Sequence, residues 1–180
     1  YTNKGFNFYF FFFSTNTAFV FVDTGETRTI DNSTGIIYRD YNKLAEFVLS
    51  LGKKNVILIA HALFSDNIGS KLATLADEYN ERKSGISHAY LTEPYNFTGA
   101  TGKIHAIFGG HEHIDDYRLS PNGIPYVISD TDSLTTHSDS GAIRGTVSEQ
   151  VFDVVFVNYD DTANWKVKCV RIGRGVDRTI

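Results

Sequence analysis

Two short apolar runs rich in β-branched residues constrain this chain more than anything else in it. Val56-Ile57-Leu58-Ile59-Ala60 and Ile104-His105-Ala106-Ile107-Phe108 carry apolar residues at consecutive positions rather than alternate ones. A strand without alternation has both faces covered, which is the condition of a strand inside a parallel or mixed sheet with layers on either side. Parallel neighbours need a crossover of a dozen or more residues, normally a helix, and the stretches preceding the two runs have that character. From Arg39 to Leu51, Leu44, Phe47, Val48 and Leu51 recur at steps of three and four, and Gly52 stands where a helix C-terminal cap belongs. From Gly69 to Lys83, Leu72, Leu75, Ala76 and Tyr79 repeat the pattern, ending before Gly85. Helix followed by buried strand, twice over, is α/β grammar.

The rest reads as β. Phe6, Phe8 and Phe10 to Phe13, then Ala18-Phe19-Val20-Phe21-Val22, flank the turn-like Ser14-Thr15-Asn16, which predicts a hairpin of 6–13 with 17–23. The aromatic start could be a stacking platform for bases, but only Lys4 lies near it, and core packing is the better account. Residues 86–102 read as irregular. Asp116 to Leu119 and Ile124 to Ser129 flank Pro121-Asn122-Gly123, a strong turn signal. A polar loop, 130–148, precedes two further strands, Val151 to Asn158 and Trp165 to Ile172, joined by an Asp160-Asp161 turn.

With 180 residues and no linker rich in Pro, Gly or Ser, 1–180 is expected to share one core. The 17 Lys and Arg against 21 Asp and Glu give −4, so there is no basic footprint for nucleic acid or an anionic membrane. The single cysteine, Cys169, excludes an internally disulfide-stapled scaffold. No stretch has the build of a signal peptide or a membrane-spanning helix, so a soluble, cytoplasmic setting is the expectation.

Chemistry is concentrated in the histidines. His61 closes the first buried run, while His111 and His113 follow the second across Gly109-Gly110. Ligands of open α/β sheets bind at the carboxyl ends of the strands, and glycine there lets the backbone turn and keeps an ion's approach clear of a Cβ. In an extended segment His111 and His113 point to one side, and neutral imidazole suits Zn, Fe and Mn. From this composition a Gly-His-any-His string arises by chance in about one such sequence in sixty. His105, inside a run, reads as a hydrogen-bonded core imidazole, and His88 and His137 as solvated. Asp130 and Asp132 could reach the strand-end crevice or simply bond their own backbone. Asp115 and Asp116 could support an imidazole from behind or form a solvated pair. Lys53-Lys54 is a helix-end charge pair.

Gly110-His111-Glu112-His113 resembles the Gly-His-any-His signature of calcineurin-like metallophosphoesterases, and Asn55 to His61 resembles that family's preceding strand, which ends in a metal-binding His. The order of elements, Asn122-Gly123-Ile124-Pro125 and the closing Arg171 to Arg178 are similar to the C-terminal half of bacterial or phage-associated members. The resemblance implies an α-β-β-α sandwich of two mixed sheets flanked by helices, the chain being its C-terminal portion. It implies a two-metal hydrolase (Mn, Fe or Zn) in which a metal-held hydroxide attacks a phosphate mono- or diester. His61 and His111 would bind one ion and His113 the other, the three lying within about 6 Å of one another as ligation requires.

The family's earlier motifs, Asp-any-His, Gly-Asp-any-any-Asp and Gly-Asn-His, do not occur here; Asp23-Thr24-Gly25-Glu26 is the nearest approach, and Ala62 stands where many relatives carry a polar residue. Imidazoles without a bridging carboxylate do not hold two cations close together. The chain alone is therefore expected to be inactive. Its start at Tyr1 and its lack of Met fit a chain that begins partway through its fold. An uncovered sheet would then favour self-association. Two rivals remain: a non-catalytic phage or cell-surface module that keeps the fold, and a mononuclear site of three His, the ligand count of a catalytic zinc centre.

Overall fold

The computed structural model describes residues 8–12, 16–22, 38–53, 55–63, 68–86, 95–110, 114–129, 143, 145–146, 151–157, 166–173 and 175–180. In chain order the elements are β1 (Phe8–Phe12), β2 (Thr17–Val22), α1 (Tyr38–Ser50), β3 (Asn55–Ala62), α2 (Ile68–Asn80), β4 (Lys103–Gly110), β5 (Asp116–Leu119), β6 (Pro125–Ile128), β7 (Val151–Val157), β8 (Val167–Gly173) and β9 (Arg178–Thr179). Six strands form one sheet in the order β1-β2-β3-β4-β6-β5. Its inner strands β2, β3, β4 and β6 run parallel, and the edge strands β1 and β5 are antiparallel to their neighbours. The two buried runs are thus adjacent parallel strands at the centre of the sheet, and the Phe-rich start is the expected hairpin.

Helix α1 connects β2 to β3, and α2 connects β3 to β4. Their apolar faces, Leu44, Ala45 and Val48 from α1 and Leu72, Leu75, Ala76 and Tyr79 from α2, cluster with Val20, Val56, Leu58, Ile104 and Ile107 of the sheet, all of them buried. Burying one such Leu, Ile or Val contributes about 1.5–3 kcal/mol, so this face carries most of the stability. On the opposite face Ile57 packs with Val167 and Cys169 of the second sheet, joined by Phe19, Ile59, Phe108 and Val157. Burial pushes the Cys169 thiol up to about 11, an inert core group.

The second sheet, β7-β8-β9, is antiparallel throughout the described strands. For the described strands the expectation of two mixed sheets is corrected to one mixed and one antiparallel, because β8 pairs antiparallel with both β7 and β9. The layers among the described residues run helices, sheet, sheet, with no helix on the outer face of the second sheet.

Helix α2 ends at Asn80, short of the predicted Lys83. Arg82 adopts the left-handed conformation, φ 57°, and its guanidinium donates to the carbonyls of Tyr79, Asn80 and Gly102. It satisfies helix-end carbonyls that a further turn would have used. The Asn80 amide then latches onto β4, donating to the Ile104 carbonyl and accepting from the Ile104 N–H, both at 2.8 Å. The β5–β6 turn closes as predicted, with Gly123 at φ 82°. It is also pinned to α2, because the Ser120 hydroxyl accepts from the Ile124 N–H and donates to Asp77 at 2.7 Å.

His105 is the core imidazole the sequence suggested. It stands where the β3–β4 ladder shifts register, and its Nε2 meets Oδ1 of buried Asn55 at 2.9 Å. Burial, helped by the charge of Lys103, lowers its pKa to about 4. The unfolded chain therefore binds a proton that the folded one refuses, and stability is complete above about pH 6.5 and declines as pH falls toward 4. The decline should approach about 1.4 kcal/mol per pH unit. Urea titrations between pH 7 and 4 check this, with His105→Gln expected to flatten the slope.

Candidate metal centre

Because β2, β3, β4 and β6 are parallel, their carboxyl ends, Val22, Ala62, Gly110 and Ile128, fall on one edge of the sheet. The ladder pairs Ala62 with Gly110 directly. His61 and His111, one residue before the first and one after the second, therefore belong to neighbouring strand ends. The ladder also shifts register between Ile59 and Ala62, a span that includes His61. Irregularities of this kind re-aim a side chain, and the His61 side chain is exposed. His111, Glu112 and His113 lie outside the described residues, as do His88, His137, Asp130 and Asp132, so of the three expected ligands only His61 is among the described residues. Among the described residues no group of three or more His, Cys, Asp or Glu is close enough to hold an ion.

The glycines of the second run serve packing rather than a turn. Both belong to β4, and neither has the positive φ of a left-handed turn. A Cβ at Gly109 would meet Leu63 Cγ at 2.3 Å and Cδ1 at 2.7 Å, and Leu63 is fully buried. A Cβ at Gly110 would find the His61 carbonyl oxygen at 3.8 Å, ordinary contact. Leu63 thus folds the segment after His61 across β4, and its carbonyl accepts from the Gly69 N–H at the start of α2. Gly69 is required in turn, since a Cβ there would stand 2.8 Å from that same oxygen.

The segment after His113 is held by charge. Asp115 accepts from Arg171 at 2.9 Å and from Arg178 at 2.7 Å. Arg171, its side chain 2% exposed, also donates through Nε to Asp153 at 2.7 Å, and its backbone N–H donates to Asp177. Ser129, at the end of β6, donates to the same Asp153. Burial opposes ionisation of Asp115, yet the Arg171 and Arg178 guanidiniums outweigh it and hold the carboxyl below the usual carboxylate range. The reading of Asp115 and Asp116 as a solvated pair is corrected for Asp115, a half-buried anchor between the strand ends and the second sheet, while Asp116 pairs with Arg118 at 3.0 Å on the exposed edge; the alternative, support of an imidazole, falls on His111 and His113, outside the described residues. No local sequence signal points to this network, because Asp115, Asp153 and Arg171 lie far apart in the chain.

No family model matches the chain, and no curated protein matches it in sequence. Its structure does match a solved one: a crystal structure of a dimetal phosphatase from Danio rerio superposes with a TM-score of 0.58 over 96% of this chain, at 12% identity. The chain shares the backbone fold of that structure. It spans 60% of the length of that protein. At this identity the likeness concerns the path of the backbone, and it agrees with the resemblance drawn from Gly110 to His113 in fold, not in residues.

Two measurements test the local construction. Gly109→Ala should cost about 1–3 kcal/mol through overpacking against Leu63, while Gly110→Ala should stay within about 0.5 kcal/mol of the parent; equal effects in denaturant titration would contradict the packing role. Arg171→Leu strands the buried Asp153 and leaves the half-buried Asp115 with Arg178 alone, and should cost about 3–5 kcal/mol, read as a lowered denaturation midpoint.

Proposed function

We propose that this chain is the histidine-bearing portion of a metal-dependent phosphoesterase, with His61, His111 and His113 as metal ligands and a phosphate mono- or diester as substrate. The observation that carries the reading is the parallel register of Ala62 with Gly110, within a fold shared with a dimetal phosphatase. It brings two histidine-bearing segments to neighbouring strand ends at the edge where α/β sheets take their ligands.

The donor set suits the imidazole half of such a centre. Exposed His61 is accessible to an ion, and three neutral imidazoles match the preferences of Zn, Mn or Fe. The carboxylate half is not matched by the described residues: Asp115 and Asp153 are committed to Arg171. Two divalent ions, where bound, would serve as Lewis acids toward the ester's phosphoryl oxygens. The chain's own contribution is positional. Leu63 and Gly109 fix the spacing of the two strand ends, and the Asp115–Arg171 pair fixes the segment that follows His113. Without a bridging carboxylate, like charges stay apart, so the chain by itself binds metal but does not turn over ester. A net charge of −4 offers no attraction for nucleic acid.

Titrating the chain with Zn or Mn in a calorimeter tests this. His61→Ala, His111→Ala and His113→Ala should each weaken binding at least tenfold, roughly 1.4 kcal/mol, and an aryl phosphate should remain intact. Absence of metal binding, or binding indifferent to all three substitutions, would overturn the proposal in favour of a non-catalytic module. Robust hydrolysis by the chain alone would show that the ligands are assigned wrongly.

A further inference from the structure

The outer face and free edge of the second sheet remain without a role in the site. β7 is an outermost strand of that sheet among the described residues. Its side chains alternate: Asp153 and Val157 turn inward to Arg171 and to the cluster around Ile57, with Val155 on the same side but 40% exposed, which leaves Phe152, Val154 and Phe156 on the outer face. They are 51%, 39% and 57% exposed, beside Ile172 at 44%. Edge strands of folded proteins are ordinarily short or carry Lys, Pro or a bulge that blocks further pairing. The edge strand β5 fits that rule, with four residues and the exposed Asp116–Arg118 pair. β7 has little of this protection: it runs seven residues in unbroken pairing with β8, with neither Lys, Pro nor Gly, and its one inward charge, Asp153, is neutralised by Arg171.

The order of residues in β7 indicates what covers it. Val151-Phe152-Asp153-Val154-Val155-Phe156-Val157 reads nearly the same in both directions. Laid antiparallel on a second β7 about a two-fold axis at Val154, it sets Val151 against Val157 and Phe152 against Phe156 twice over, with Asp153 against Val155. Aromatic cross-strand pairs of this kind stabilise a ladder, and the antiparallel two-fold is the closed symmetry of most dimers. No like charges meet. Asp153 is neutralised by Arg171 within its own chain, and the two Lys168, each opposite its own Phe156, lie at opposite ends of the joint sheet.

We propose that β7 is a dimerisation edge, where a second copy of this chain adds β7 to β7 and extends β7-β8-β9 into a six-stranded sheet with a continuous apolar outer face. Each half-exposed Phe offers roughly 100 Å². With one strand's length of backbone pairing, the contact sits at the small end of specific interfaces, and its dissociation constant belongs in the micromolar range.

Sedimentation velocity from about 1 μM to a few hundred μM should show one chain passing to two. Val154→Lys sets two ammonium groups face to face at the axis and should move the midpoint up at least tenfold, with an unchanged circular dichroism spectrum. Val154→Cys under mild oxidation should give a disulfide-linked dimer, whereas Leu119→Cys on β5 should not. A chain that stays monomeric throughout, larger aggregates in place of a dimer, or a dimer that neither variant alters or captures would overturn the proposal.

Discussion

The architecture around the candidate site depends on one buried guanidinium. Arg171 sits on β8, yet its partners come from β7, from the segment that follows His113 and from the chain just beyond its own strand. A charge at 2% side-chain exposure is tolerable only when its donors are used and its charge is matched, and Arg171 meets both conditions with Asp153 and Asp115. The planar fork allows it to serve both carboxylates at once, which a lysine ammonium does less well. The gain is geometric more than energetic. Helices and central sheet would pack without it, but the second sheet would have no fixed position relative to the strand ends.

That arrangement explains why the site looks as it does. The strand ends of β3 and β4 are held from one side by Leu63 lying across Gly109, and from the other by Asp115 and Ser129 tied into the second sheet. His61, carried on the end of β3, is thereby set on a rigid frame rather than on a free loop. The same frame removes Asp115 and Asp153 from the pool of metal donors. Among the described residues, these two acids serve the scaffold.

Much of the fold was legible because it rests on periodicity. The runs 56–60 and 104–108 declared themselves by lacking alternation, the two helices by steps of three and four, and the β5–β6 turn by Asn122-Gly123. What escaped was set by contacts between residues remote in sequence. The early end of α2 comes from Arg82 reaching the Gly102 carbonyl. The need for glycine at position 109 comes from a leucine on a different strand end, and the role of Asp115 from arginines more than fifty residues later. Two mixed sheets were what the family resemblance implied, while the described strands of the second pair antiparallel throughout. For the site, the strand-end placement of His61 was legible from the motif and matches the ladder, while His111 and His113 lie outside the described residues.

The two faces of the central sheet are unequal. On the helix side a broad cluster of buried aliphatic residues binds α1 and α2 to every inner strand; on the other, among the described residues, only Ile57, Val167 and Cys169 are fully enclosed. Little apolar area joins the sheets, and ion pairs do a large share of that work. Cooperative units of a protein open in order of the burial that closes them, so the seam between the sheets is the plane along which this molecule first comes apart. Backbone amides of β8 would exchange with solvent well before those of β3, and Cys169, silent while the seam is shut, would become reactive each time it parts.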